Sequence, residues 1–292
     1  MTSRTLLDST GLFQDADPSA QAHEEQGSAN SGRGPQHAGQ QPVRADDILR
    51  AADFDGRGHA HGIQIEEPDA VVDGKTIAEW TEDWWRWALQ APSDYSSLTS
   101  PLPRATHLNN DGKIFFIAGG PNATITVPAN TPILFPMINL FDTEGPGIQE
   151  EIPGFVERGG SFADMANEVA DLFQNNIVDA HAKIMKDGKT LLDVHSPESA
   201  KFAEESGTFA IGTPNRGSVL ANLVPSPLDP SIANLPFTSS SGDWLMLGRL
   251  APGRYTLEFG GTSNALSDPQ TAKPFLGSFT TETTDTLIVG HP

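Results

Sequence analysis

Cysteine is absent from this 292-residue chain, which excludes disulfides, thiolate nucleophiles and cysteine-based zinc sites. Basic side chains are scarce: 18 Lys and Arg stand against 38 Asp and Glu, a formal net charge of −20. Residues 1–70 carry 12 acids and 5 bases, a net of −7, which leaves −13 for the remainder. The acidity is therefore spread along the chain. A surface this negative repels phosphate backbones and anionic lipid heads, which argues against nucleic acid and membrane-surface partners. No apolar run approaches the roughly 18 residues of a membrane span. The start, Met1 to Ser9, lacks the apolar stretch of a secretory signal. No G-x-S-x-G elbow, phosphate loop or dinucleotide fingerprint occurs.

What is present is concentrated. Four of the five tryptophans fall between Trp80 and Trp87. Thr76 and Glu79 form a capping box that starts a helix there. At 100° per residue, Ile77, Trp80, Trp84, Trp87, Ala88 and Ala91 share one face, widened by Trp85 and Leu89. Two readings follow. The rings close a hydrophobic core, or Trp80, Trp84, Trp85 and Trp87 form a stacking platform for sugar rings.

Residues 1–62 hold no Trp or Tyr and only Phe13 and Phe54, and Gly, Gln, Ser, Ala, Pro and His dominate from Pro18 to Pro42. Such a segment buries too little apolar surface to offset ordering, so a disordered acidic tail is expected before a domain over 63–292. Within the domain, strand-like segments run over Ile63–Ile65, Lys113–Ala118, Ala123–Val127 and Pro132–Ile138, where Pro136 signals an edge or a bulge. Ser161 and Asp164 cap a second amphipathic helix carrying Phe162, Met165, Val169 and Phe173. Asp187-Gly188 marks a hairpin between Ala180–Met185 and Thr190–Leu192. Thr208–Ile211 is a further short strand. A polar loop is expected over about 214–242. Strands follow over Asp243–Leu250 and Arg254–Gly260, the latter burying Tyr255, Leu257 and Phe259 on one face. A last pair uses Phe275–Thr283 and Thr286–Val289. The fold class expected is mainly β: an antiparallel β-sandwich of jelly-roll type with two packed helices.

Four motifs, in order, resemble those of a bacterial and mostly secreted protein family. The first is G-K-[ST]-x-A-E-W-x-x-x-W-W-x-W-A, here Gly74 through Ala88. The second is a V-W-F-L-A-G strand, here Ile114 to Gly119. The third is V-P-A-G-x-x-[IL]-F-F-P-x-[IL]-N, here Val127 to Asn139. The fourth ends in L-x-P-G-x-[HY]-x-[IL]-x-F-x-G, here Leu250 to Gly261. The likeness spans about 68–290. It implies an extracellular or envelope location, without a recognisable signal peptide, with the cytoplasm as the alternative. It implies no particular chemistry. The chain departs from the family in lacking its common cysteines, in its polar N-terminal tail, and in carrying Gly260 where a histidine is frequent.

Candidate chemistry is sparse. Asn139, Asp142 and Glu144 leave a strong strand with three oxygen-bearing side chains, a calcium-type donor set, against the plainer reading of a solvated loop. His59 and His61 make a weak metal pair. Glu258 and Asp243 lie on strands that sequence order makes adjacent, the residue types of paired glycosidase carboxylates. The reading that follows is a non-catalytic secreted or envelope-associated binding or structural module, with a glycan or another protein as partner. The alternatives are a polysaccharide hydrolase or lyase with acidic residues in an open cleft, and a self-assembling surface protein.

Overall fold

The computed structural model describes residues 63–93, 112–118 and 123–290, together with the backbone of Leu7–Asp8 and His59–Ala60. The rest of the expected tail, with His61, lies outside the described residues. The fold is mainly β. Its principal strands are β1 (Leu7–Asp8), β2 (Phe115–Phe116), β3 (Thr124–Val127), β4 (Ile133–Glu144) and β5 (Ile177–Lys186). They continue with β6 (Lys189–His195), β7 (Ala203–Glu205), β8 (Phe237–Leu247), β9 (Gly253–Ser263) and β10 (Phe279–Val289). Among the described residues the α-helices are α1 (Ile77–Gln90), α2 (Phe162–Asn176) and the short α3 (Val219–Leu223). Among the described residues no helix is long and apolar enough to cross a membrane.

Two five-stranded sheets organise the chain. The first runs β1-β4-β8-β7, with β2 also on β4; the second runs β6-β5-β9-β10-β3. The expected wholly antiparallel pairing needs correction, because β2 joins β4 and β3 joins β10 in parallel. Both parallel pieces are short and lie beside long strands, so little of the ladder depends on that slightly weaker pairing.

Strand β4 is the hinge of the architecture. Ile133, Phe135 and Met137 enter a core shared with Ile184, Leu257 and Phe259 of the second sheet. The Phe135 and Phe259 rings lie 5.1 Å apart. Leu134, on the opposite face, joins the tryptophan cluster. A bulge then resets the alternation: Trp244 of β8 pairs with Pro136 but Asp243 pairs with Ile138, leaving Met137 as the extra residue. Pro136 thus sits at a bulge, as its missing N–H requires. Beyond it Ile138 and Leu140 face the shared core, while Phe141 faces the tryptophans.

Helix α1 begins with the Thr76–Glu79 capping box and buries Trp80, Trp84, Trp85 and Trp87 against the outer face of the first sheet. The Trp84 ring meets Trp85, Trp87 and Trp244 edge-on at 4.8, 5.8 and 5.2 Å. Helix α2 begins with a Ser161–Asp164 box and sends Met165, Val169 and Phe173 into the shared core. Its backbone meets the first sheet directly, since Ser241 Oγ donates to the Ala170 carbonyl at 2.7 Å.

The Asp187-Gly188 turn joins β5 and β6 with both residues at positive φ (52° and 72°), the conformation a tight hairpin requires. Tyr255, Leu257 and Phe259 are buried on one face of β9. Several sequence boundaries shift. Phe237–Gly242 is the first half of β8 and not a loop. The region expected as the strand 208–211 makes only a bridge from Phe209 to Thr238. The last strand is continuous from Phe279 to Val289.

Candidate functional site

Among the described residues, polar side chains gather at the buried end of β4 and on the outer face of the second sheet. The sequence suggests that Asn139, Asp142 and Glu144 leave a strand. In the structure they are its second half, and all twelve residues of β4 are buried. Period-two alternation puts Asp142 and Glu144 on the face covered by α2, and Asn139 on the opposite face, toward the tryptophans. Asn139 is therefore separated from the two carboxylates by the sheet itself. Ser239 takes its place, standing across from Asp142 in β8 and on the same face.

This acidic site is poorly compensated. Asp142 is 1% and Glu144 0% exposed, and no Lys, Arg or His pairs with either among the described residues. One oxygen of Glu144 accepts from the Glu151 backbone N–H at 3.0 Å. Beyond the bond of the two carboxyls with each other and a contact of Asp142 with the Thr143 backbone, the other Glu144 oxygen, both oxygens of Asp142 and the Ser239 hydroxyl have no hydrogen-bond partner. Burial, then repulsion from Glu144 and Glu151, holds the Asp142 carboxyl well above the ordinary range. Burial pushes Glu144 up to about 8, opposed by the Glu151 hydrogen bond. Asp243 offers a contrast on the same face. It too is raised by burial, but Gln174 Nε2 donates to it at 2.9 Å and Ser199 also bonds it.

The outer face of the second sheet is open to solvent between alternating buried residues. A single row crosses four strands: His195 of β6, His181 of β5, Gly260 of β9 and Glu282 of β10 are successive partners in register. Gly260 has no side chain, so Glu282 reaches over it to His181 Nε2 at 3.2 Å. A Cβ at Gly260 would lie 2.9 Å from Glu282 Oε2 and 2.2 Å from the Thr281 carbonyl. Asp179 meets the other ring nitrogen of His181 at 3.2 Å, and the two imidazoles lie 6.1 Å apart, stacked. Around this row stand Thr256, Thr262, Thr280, Thr284, Lys183 and Glu258. The sequence showed the residue types but not the row, because cross-strand register is decided by pairing partners far apart in the chain.

The remaining candidates are placed as follows. Trp80, Trp84, Trp85 and Trp87 are 8, 0, 0 and 8% exposed. Trp80 Nε1 donates to the Val72 carbonyl and Trp84 Nε1 to that of Ile117. A ligand could stack on these rings only by displacing the sheet beneath them. Glu258 and Asp243 lie in different sheets. Among the described residues no group of three or more His, Asp or Glu side chains is disposed to hold a metal ion.

A further buried acid makes a test of the electrostatics. Asp285 of β10, 1% exposed, accepts from the Ala123 backbone N–H at 2.8 Å, which ties β3 to β10. Burial pushes its pKa to about 7, the hydrogen bond opposing. The unfolded chain releases this proton near pH 4, so between about 4 and 7 the folded state holds a proton the unfolded state has lost. The contribution is complete below pH 4 and disappears as pH rises through 7. Asp285→Asn is expected to flatten the fall in stability between pH 4 and 7.5 by about 4 kcal/mol. Urea denaturation across that range checks it; parallel pH profiles for variant and wild type would count against the assignment.

No family model matches the chain, and comparisons with curated proteins and with solved structures return no match.

Proposed function

We propose that the protein is a non-catalytic binding module of a secreted or envelope-associated kind, and that it binds a glycan on the outer face of its second sheet. The observation that carries this reading is the row His195–His181–Gly260–Glu282, flanked by threonines and carboxylates on an open face. Imidazole, hydroxyl and carboxylate groups are the hydrogen-bonding partners that sugar hydroxyls use. A protein partner would favour exposed aromatic and apolar anchors. The large exposed hydrophobics among the described residues are three, Val71, Val178 and Ile288, and none of them belongs to the row. The net charge of −20 supports a partner other than nucleic acid. Two facing sheets are also the frame on which jelly-roll binding modules are built, which supports the finer reading of the fold. The sequence motifs given above support membership of the secreted family they resemble.

A hydrolase or lyase would need carboxylates facing each other across a cleft. Asp142 and Glu144 are instead neighbours on one strand beneath a helix. The test is a panel of soluble polysaccharides mixed with the full chain. The expected result is retention of at least one glycan with no new reducing ends or unsaturated products, and loss of retention in His181→Ala/Glu282→Ala with an unchanged melting temperature. Turnover would establish the enzyme instead. Scattering that grows with concentration, without glycan retention, would establish a self-assembling surface protein.

A further inference from the structure

Four oxygens at the end of β4 are buried on one face with no partner beyond the other carboxyl and the Thr143 backbone: Asp142 Oδ1 and Oδ2, Glu144 Oε2 and Ser239 Oγ. A carboxylate removed from water and left unpaired costs several kcal/mol even after relaxation. Something must therefore neutralise the pair. A proton shared between the two carboxyls would satisfy one oxygen on each and leave the hydroxyl and a second Asp142 oxygen unanswered. A cation held by both carboxyls and the hydroxyl would answer all of them together. The donors are oxygen only, with no nitrogen or sulfur, which selects a hard ion. Glu150 and Glu151 add negative potential beside Glu144, and that field favours entry of a positive ion.

We infer that Asp142, Glu144 and Ser239 form a buried site for a hard divalent cation, calcium before magnesium. Magnesium demands a near-ideal octahedron and gives up its waters reluctantly, whereas calcium accepts irregular sets of carboxylate, hydroxyl and carbonyl oxygens. The ion would link β4 to β8 beneath α2. This site is separate from the glycan face, and its test needs no glycan.

The full chain, stripped with EDTA, is titrated with calcium chloride while its melting temperature is followed. The expected result is a rise of roughly 5–10 °C at a hundredfold excess over the dissociation constant, with saturable heat at one site by calorimetry. Asp142→Asn is expected to leave the calcium-free melting temperature close to wild type, since the amide replaces a neutral carboxyl of the same shape, and to abolish the calcium response. Ser239→Ala deletes one hydroxyl oxygen and is expected to weaken calcium binding about tenfold or more. A wild-type protein that shows neither a melting shift nor binding heat with millimolar calcium overturns the inference, and leaves a proton-sharing pair. A calcium response that persists in both variants overturns it as well, by placing the ion elsewhere.

Discussion

Trp84→Ala is expected to lower stability by about 4 kcal/mol and the melting temperature by roughly 10 °C. The indole is fully buried and meets three other tryptophans edge-on. Its N–H donates to the Ile117 carbonyl at 2.9 Å, so truncation also leaves a buried acceptor without its donor. Two terms add: the transfer free energy of the lost ring and the cavity that the rigid β4–β8 surface cannot close. Differential scanning calorimetry reads the effect. A variant that melts within a degree or two of wild type would show that α1 is not anchored by this ring. Trp80→Ala, 8% exposed and placed near the start of the helix, should cost less.

The second large effect is expected at Gly261, where local preference and tertiary packing make opposite predictions. Glycine weakens a strand, so alanine or valine there ought to be stabilising by propensity alone. The structure reverses the sign. A Cβ at Gly261 would lie 2.6 Å from the Asp179 backbone carbonyl and 2.9 Å from Ile138 Cβ. The first neighbour belongs to β5 of the same sheet and the second to β4 of the facing sheet, just past its bulge. Neither is the far end of a flexible side chain, so relief requires the sheets to separate or the β5–β9 ladder to stretch. Gly261→Val is expected to lose about 3 kcal/mol in urea denaturation, with Gly261→Ala intermediate. A Gly261→Ala protein as stable as wild type would show that the sheets are not held this close.

Both effects bear on function through the same frame. The histidine row requires β6, β5, β9 and β10 to keep one register, and the acidic site requires β4 and β8 to keep another. Gly261 is where the two sheets approach, so damage there is expected to disturb both sites together. Loss of α1 packing should act first on the outer face of the first sheet, away from the histidines.

Local chemistry alone determined a good part of this protein. The Thr76–Glu79 and Ser161–Asp164 boxes, the Asp187-Gly188 turn and the Tyr255, Leu257, Phe259 alternation rest on contacts within a few residues, which sequence spacing specifies. The dominance of strand over helix follows from the same short-range signals. Only the tertiary structure decided the rest. Ser239 and Asp142 are 97 residues apart and meet because β8 pairs with β4. His181 and Glu282 meet across Gly260, 101 residues apart. Asn139 and Asp142 are three residues apart, yet a strand sends them to opposite faces. Phe237–Gly242 has the composition of a loop and becomes strand because both of its neighbours, β4 and β7, offer a ladder. Register is a property of paired chains, and no single segment carries it.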